Sequence, residues 1–187
     1  MQLKDKTILF LGSSVTYGAA SNGVSFADIM AKNCGINMIK EAVSGTTLAD
    51  INDRSYVARL KTVDTTNKID LFICQLSTND ASQNIAIDKI EDAIRFIVSY
   101  VKDVFNCPIM FYTGTYFESK LYVDMICLLE KLKVEYGFYI LNLFSDPEML
   151  SVSKTDYETY MADPIHPTLK GYTDWWTPKF IDFCKSI

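Results

Sequence analysis

Five short apolar runs, separated by helical periodicities, limit what this chain can fold into more than any other feature. Ile8–Leu11, Met38–Val43, Leu71–Leu76, Ile109–Tyr112 and Phe138–Leu143 are each four to six residues long and nearly continuous in apolar character. A strand with one face in water alternates polar and apolar residues; a strand covered on both faces need not. Between the runs, Ile87, Ile90, Ile94, Ile97, Val98, Val101 and Phe105 recur at helical spacing, as do Leu121, Met125, Leu128, Leu129, Leu132 and Tyr136. Each set is one buried stripe of an amphipathic helix. Less regular patterns predict helices over Phe26–Lys32, Ser55–Val63 and Leu169–Cys184, the last carrying Trp175 and Trp176, one buried on the sheet and the other partly exposed.

Strand and helix in alternation predict an α/β fold: a three-layer α/β/α sandwich around a parallel sheet. The 187 residues fit one domain spanning 1–187. Right-handed crossovers bring the carboxyl ends of all strands to one edge, and ligands of such sheets bind there. The residues that follow each strand are therefore where chemistry is expected.

Charge and cysteine usage remove several function classes. With 18 basic and 23 acidic residues the formal charge is −5, and no basic cluster offers a footprint for a phosphate backbone. Nucleic acid is not expected as a partner. The apolar run after the first lysines is shorter than the roughly 7–15 residues of a signal-peptide core, and no segment reaches the ~20 apolar residues of a membrane helix. The expectation is a cytoplasmic protein without membrane insertion. Cys34, Cys74, Cys107, Cys127 and Cys184 are odd in number, widely spaced and without a CxxC pair, which reads as reduced, packed thiols. His166 is the only histidine, so a histidine-based metal site is not expected.

Polar segments follow the strands: GSSVTYG after the first, SGTT after the second, STND after the third, TGTYFES after the fourth, and far beyond the fifth ADPIHPTLKGY. A serine becomes a nucleophile when a base takes its proton, and a histidine base works best when a carboxylate orients it. Asp163 precedes His166 by three residues in a loop stiffened by Pro164 and Pro167, a spacing that permits a triad with Ser14. Asp156 and Asp174 are other carboxylates within range. Donors for an oxyanion are available in the Ser14 N–H, the Gly45 N–H and the Asn79 side-chain amide, each just past a strand.

These four blocks, GSSVTYG, SGTT, STND and DPIHP, in this order and after successive strands, resemble the sequence blocks of the SGNH hydrolases, or GDSL esterase/lipase family, across residues 12–166. The resemblance implies that Ser14 is the nucleophile, His166 the general base and acid, and Asp163 its partner. It implies an oxyanion hole of Ser14, Gly45 and Asn79, and a flavodoxin-like five-stranded sheet of order 2-1-3-4-5. It brings no metal and no organic cofactor. Two positions depart from the pattern: Ser13 stands where the family has aspartate, and Ser77 where it has glycine.

The expected activity is that of a serine esterase working through an acyl-enzyme on short-chain or acetyl esters of a small soluble or carbohydrate substrate. Tyr116, Phe117, Tyr157 and Tyr160 flank the presumed catalytic edge and are candidate walls of a substrate pocket. A flavodoxin-like binding module is the alternative, because a Ser/Thr-rich loop after the first strand also suits a phosphate. A hydrolase relative that retains only ligand recognition is another.

Overall fold

The computed structural model describes residues 1–187. Its sheet has five parallel strands in the order β2-β1-β3-β4-β5: β1 Thr7–Gly12, β2 Asn37–Ala42, β3 Leu71–Gln75, β4 Ile109–Tyr112 and β5 Tyr139–Leu141. Around it lie α1 Ser14–Tyr17, α2 Phe26–Cys34, α3 Tyr56–Leu60, α4 Thr78–Ser82, α5 Ile87–Val104, α6 Lys120–Tyr136, α7 Pro147–Leu150, α8 Lys154–Tyr160, α9 Leu169–Gly171 and α10 Thr177–Ser186. None of the helices is long and apolar enough to cross a membrane.

Period-two geometry sends alternate residues of each strand to opposite faces. Leu9, Leu11, Phe72, Cys74 and Phe111 pack with α3, α5 and α6, while Ile8, Phe10, Ile73, Met110 and Tyr112 pack with α2, α10 and the turn before it. Both faces are dry, so the inner strands carry no alternation. The α5 stripe buries Ile90, Ala93, Ile94, Ile97, Val98 and Val101. Ser119 starts α6 by accepting from the Tyr122 N–H, and Gly137, at φ 74°, ends it.

β2 departs from the expected pattern. It is a half-buried edge strand, and its Lys40 and Glu41 act as tethers: Lys40 Nζ lies 2.6 Å from Asp28 Oδ2 and Arg59 Nη1 lies 3.0 Å from Glu41 Oε1. The helix expected over Leu169–Cys184 is split by a π-helical turn at Tyr172–Trp176, whose signature is the Thr177 N–H donating five residues back to the Tyr172 carbonyl. Pro178 has no N–H to offer Asp174, which breaks the ordinary ladder at this point. Both tryptophans are consequently buried, Trp176 in the core and Trp175 beneath Tyr157 and Tyr160, so neither is the partly exposed one expected.

One buried carboxylate holds the connection after β2 in place. Asp80, in the first turn of α4, accepts from the N–H groups of Leu48 and Ala49 at 2.7 and 2.9 Å. Burial pushes its carboxyl up, the Ser77 hydroxyl and the two N–H donors pull it back, and the balance stays above the ordinary aspartate value.

Two expectations follow from this packing. Phe26 is fully buried and stacks on Phe180 with centroids 3.8 Å apart; Phe26→Ala is expected to cost about 3–5 kcal/mol in urea unfolding. For Asp80 the raised native pKa means that the folded state binds more proton than the unfolded one just above the unfolded value of roughly 4. The stability of wild type relative to Asp80→Asn is therefore expected to fall as pH rises through that window, measured by urea unfolding at several pH values. A difference independent of pH would contradict the assignment.

Candidate active site

Gly12 is the last residue of β1, and α1 begins two residues later at Ser14. A Cβ on Gly12 would collide with the Thr16 side chain, so only glycine lets the chain fold back this tightly. Gln75 Oε1, at the end of β3, accepts from the Ser13 N–H at 3.0 Å and the Thr16 hydroxyl at 2.8 Å. Thr16 Oγ1 in turn lies 2.7 Å from Tyr112 Oη, and Tyr172 Oη donates to the Val15 carbonyl at 2.7 Å. The turn that carries Ser14 is thus pinned from β3, β4 and the π-helical turn. The hydroxyls of Ser13 and Thr16 point inward and are already occupied.

His166 reaches Ser14 from the far end of the chain. Its Nε2 lies 2.7 Å from Ser14 Oγ and its Nδ1 lies 2.7 Å from Asp163 Oδ2. The other oxygen of Asp163 accepts from the N–H groups of Ile165 and His166, both at 2.8 Å, so the loop DPIH folds around its own carboxylate. Partial burial raises the Asp163 carboxyl, but the His166 ring and these two N–H donors outweigh it and hold the group below its ordinary value. Asp156 and Asp174 are engaged elsewhere, with Ser153 and Lys170 respectively.

Asn79 lies in the first turn of α4, which Ser77 caps by accepting from the Asn79 and Asp80 N–H groups. The Asn79 Nδ2 donates to the Thr46 carbonyl at 2.8 Å, which ties α4 to the connection after β2. Gly45 is exposed at φ 77°, and its N–H has no acceptor within the chain. As the first residue of α1, Ser14 has an N–H without an intrahelical acceptor.

A cleft of about 640 Å³ opens over this edge, walled by Ser14, Asn79, Ser82, Phe117, Glu118 and the loop Asp163–His166. Of the aromatic candidates, only Phe117 faces it. Tyr116 and Tyr157 line a separate depression with Met149, Leu150, Val152 and Trp175, while Tyr160 stacks on Trp175. Sequence position brings all three near the edge, but Tyr116 packs on Phe144, and α8, which has no apolar periodicity to announce it, turns Tyr157 and Tyr160 onto the tryptophan. Gly45 is not in the cleft wall either. Sequence reasoning missed Gln75 and Arg59; the available signal was a polar or charged residue inside an otherwise apolar run, LFICQL and YVARL.

A family model described as the GDSL-like Lipase/Acylhydrolase family matches residues 10–173. No curated protein matches the chain in sequence. Solved structures share the fold at low identity. A Lactobacillus plantarum protein superposes at TM-score 0.82 with 18% identity, covering 98% of both chains. A putative lipolytic protein of the G-D-S-L family from Desulfitobacterium hafniense gives 0.77 and 13%, covering 98% of this chain and all of the other. Axe2, an acetylxylan esterase from Geobacillus stearothermophilus, gives 0.74 and 15%, covering 97% and 95%. With the family model spanning nearly the whole chain and the sheet order matching that of these structures, this protein belongs to the GDSL-like lipase/acylhydrolase family of carboxylic ester hydrolases.

Proposed function

We propose that this protein is a serine esterase in which Ser14, His166 and Asp163 form the catalytic triad. The observation that carries the reading is the continuous chain of hydrogen bonds from Asp163 through His166 to Ser14. His166 Nε2 takes the Ser14 proton as Oγ attacks the ester carbonyl, and Asp163 stabilises the imidazolium that results. The imidazolium then protonates the departing alcohol, leaving Ser14 acylated. Water, deprotonated by the same nitrogen, attacks the acyl carbon; the bond to Ser14 Oγ then breaks, His166 returns the proton to Oγ, and the acyl group leaves as the carboxylic acid.

The tetrahedral intermediates carry an oxyanion, for which the Ser14 N–H, the Gly45 N–H and Asn79 Nδ2 are the proposed donors. One Nδ2 hydrogen serves the Thr46 carbonyl; the second remains for the oxyanion. Such donors act because they are fixed before charge develops.

The proposed substrates are acetyl or other short-chain esters of a small soluble or carbohydrate alcohol. Phe117 and Ile165 are the hydrophobic residues among those that line the cleft, so few apolar side chains are available to a long acyl chain. The acetylxylan esterase among the structural neighbours points the same way. Phosphate cradling in the manner of a flavin protein is disfavoured, because the Ser13 and Thr16 hydroxyls are turned into the core. Cytoplasmic placement rests on the five unpaired cysteines.

Purified wild type is expected to take up one fluorophosphonate adduct by intact mass, and Ser14→Ala none, with ester turnover reduced by at least ~10⁴-fold. On 4-nitrophenyl esters, kcat/KM is expected to fall steadily beyond butyrate. An unlabelled wild type, or full turnover by Ser14→Ala, would reject the triad.

The pH profile provides a second check. The Asp163 carboxyl is held below its ordinary value, so it stays ionised over more of the acid range than a free aspartate does. Activity is expected to be lost toward acid, since a protonated Nε2 cannot accept from Ser14. The absence of an acid limb in log(kcat/KM) for the folded protein would contradict this.

A further inference from the structure

Arg59 and Asp80 are the only charged residues with buried side chains. Asp80 anchors one connection, but Arg59 reaches several, and no step of the chemistry above uses it. Its guanidinium rests on the Tyr56 ring, 5.3 Å from the centroid, beneath the carboxyl edge.

A guanidinium has five N–H donors, and here each has an acceptor. Nη2 donates to the Gly12 carbonyl at 2.8 Å and to Thr46 Oγ1 at 3.1 Å. Nη1 donates to the Glu41 carbonyl and to Glu41 Oε1, both at 3.0 Å, and Nε donates to the Arg54 carbonyl at 3.0 Å. Burying a cation is costly, and well-packed apolar residues often serve stability as well or better. What apolar packing does not provide is a rigid planar fork joining backbone segments that are distant in sequence.

The segments joined are those that carry the oxyanion donors. Gly12 ends the strand that delivers Ser14, and Thr46 follows Gly45 directly. The Thr46 carbonyl is also the acceptor for Asn79 Nδ2. One guanidinium and one amide therefore connect all three donor positions through Thr46, whose hydroxyl faces Arg59 and whose carbonyl faces Asn79.

We infer that Arg59 is a positioning residue that sets the spacing of the oxyanion donors, acting through Gly12 and Thr46 without touching substrate. The inference rests on the esterase reading above. Its consequence is kinetic: donors that are misplaced weaken transition-state binding and leave ground-state binding largely as it was.

The test compares wild type, Ser14→Ala, Arg59→Lys, Thr46→Val and Thr46→Ser on 4-nitrophenyl acetate, with kcat and KM separated, alongside thermal unfolding. Lysine keeps the charge but loses the fork, so Arg59→Lys is expected to lower kcat by roughly ten- to a hundredfold with KM within about twofold. Thr46→Val removes the acceptor while leaving Arg59 in place and is expected to lower kcat about tenfold. Thr46→Ser puts the hydroxyl back, for Arg59 and for the Val43 carbonyl to which Thr46 donates at 2.7 Å, and is expected to recover the rate. A wild-type kcat in folded Arg59→Lys, or a raised KM at constant kcat, overturns the inference. If Arg59→Lys fails to fold, the Thr46 pair decides: a slow valine and a fast serine support it, while equal rates in the two overturn it. Full activity in Ser14→Ala would instead overturn the esterase reading itself, whatever the Arg59 and Thr46 variants do.

Discussion

A parallel sheet whose two faces are both covered by helices leaves its carboxyl edge as the natural place for polar chemistry, and the rest of this structure follows from that constraint. Every buried backbone group inside the sheet is paired along the ladder, so the strands interior to the layers are free to be apolar on both sides. At the carboxyl edge the ladder stops, carbonyls and N–H groups become available, and the chain must turn in a few residues. Gly12, Gly45 and Asn79 sit at these turns. Their polar character arises from the end of the sheet; their usefulness arises from three turns meeting at one place.

Holding three turns in mutual register requires more than the sheet. Three side chains that are not themselves candidates for chemistry supply it. Gln75 fixes the start of α1 from β3, Asp80 fixes Leu48 and Ala49 from α4, and Arg59 joins β1, β2 and the Gly45–Thr46 connection from α3. All three have almost all of their surface out of water, and all three direct their polar atoms mainly at backbone or hydroxyl groups. Buried polar groups of this kind are favourable only when satisfied, which makes them sensitive markers of geometry. The two departures from the family pattern sit in the same layer. Ser77 caps α4, and Ser13 turns its N–H toward Gln75.

Legibility from sequence varied with the physical origin of each feature. The long helices α5 and α6 were plain, because a stripe repeated over four or five turns has no other explanation. The inner strands were plain for a related reason: double burial removes alternation. β2 was read as another buried run, yet its Lys40 and Glu41 mark an edge strand whose polar residues reach neighbouring helices. The π-helical turn was invisible, since Pro178 signals that a ladder breaks there but not how the freed residues repack. The candidate triad was legible as residue types and spacing. The tyrosines of α8 were not, because their placement depends on packing against Trp175, whose own position is set by the broken helix.

The sequence by itself determined the layer architecture, the edge where chemistry could occur and the residue types gathered there, because these follow from local periodicity and from what each side chain can do. Tertiary structure decided the distances. Ser14 and His166 are separated by 152 positions and meet at 2.7 Å only in the folded chain, where the π-helical turn that follows His166 packs on α2 and Tyr172 donates to the Val15 carbonyl of α1. Arg59 likewise looks like an ordinary cation in an apolar helix until the fold surrounds it with five acceptors. No local pattern encodes such meetings, since they depend on how whole elements pack, and packing is set by the shapes of surfaces that exist only once the chain has folded.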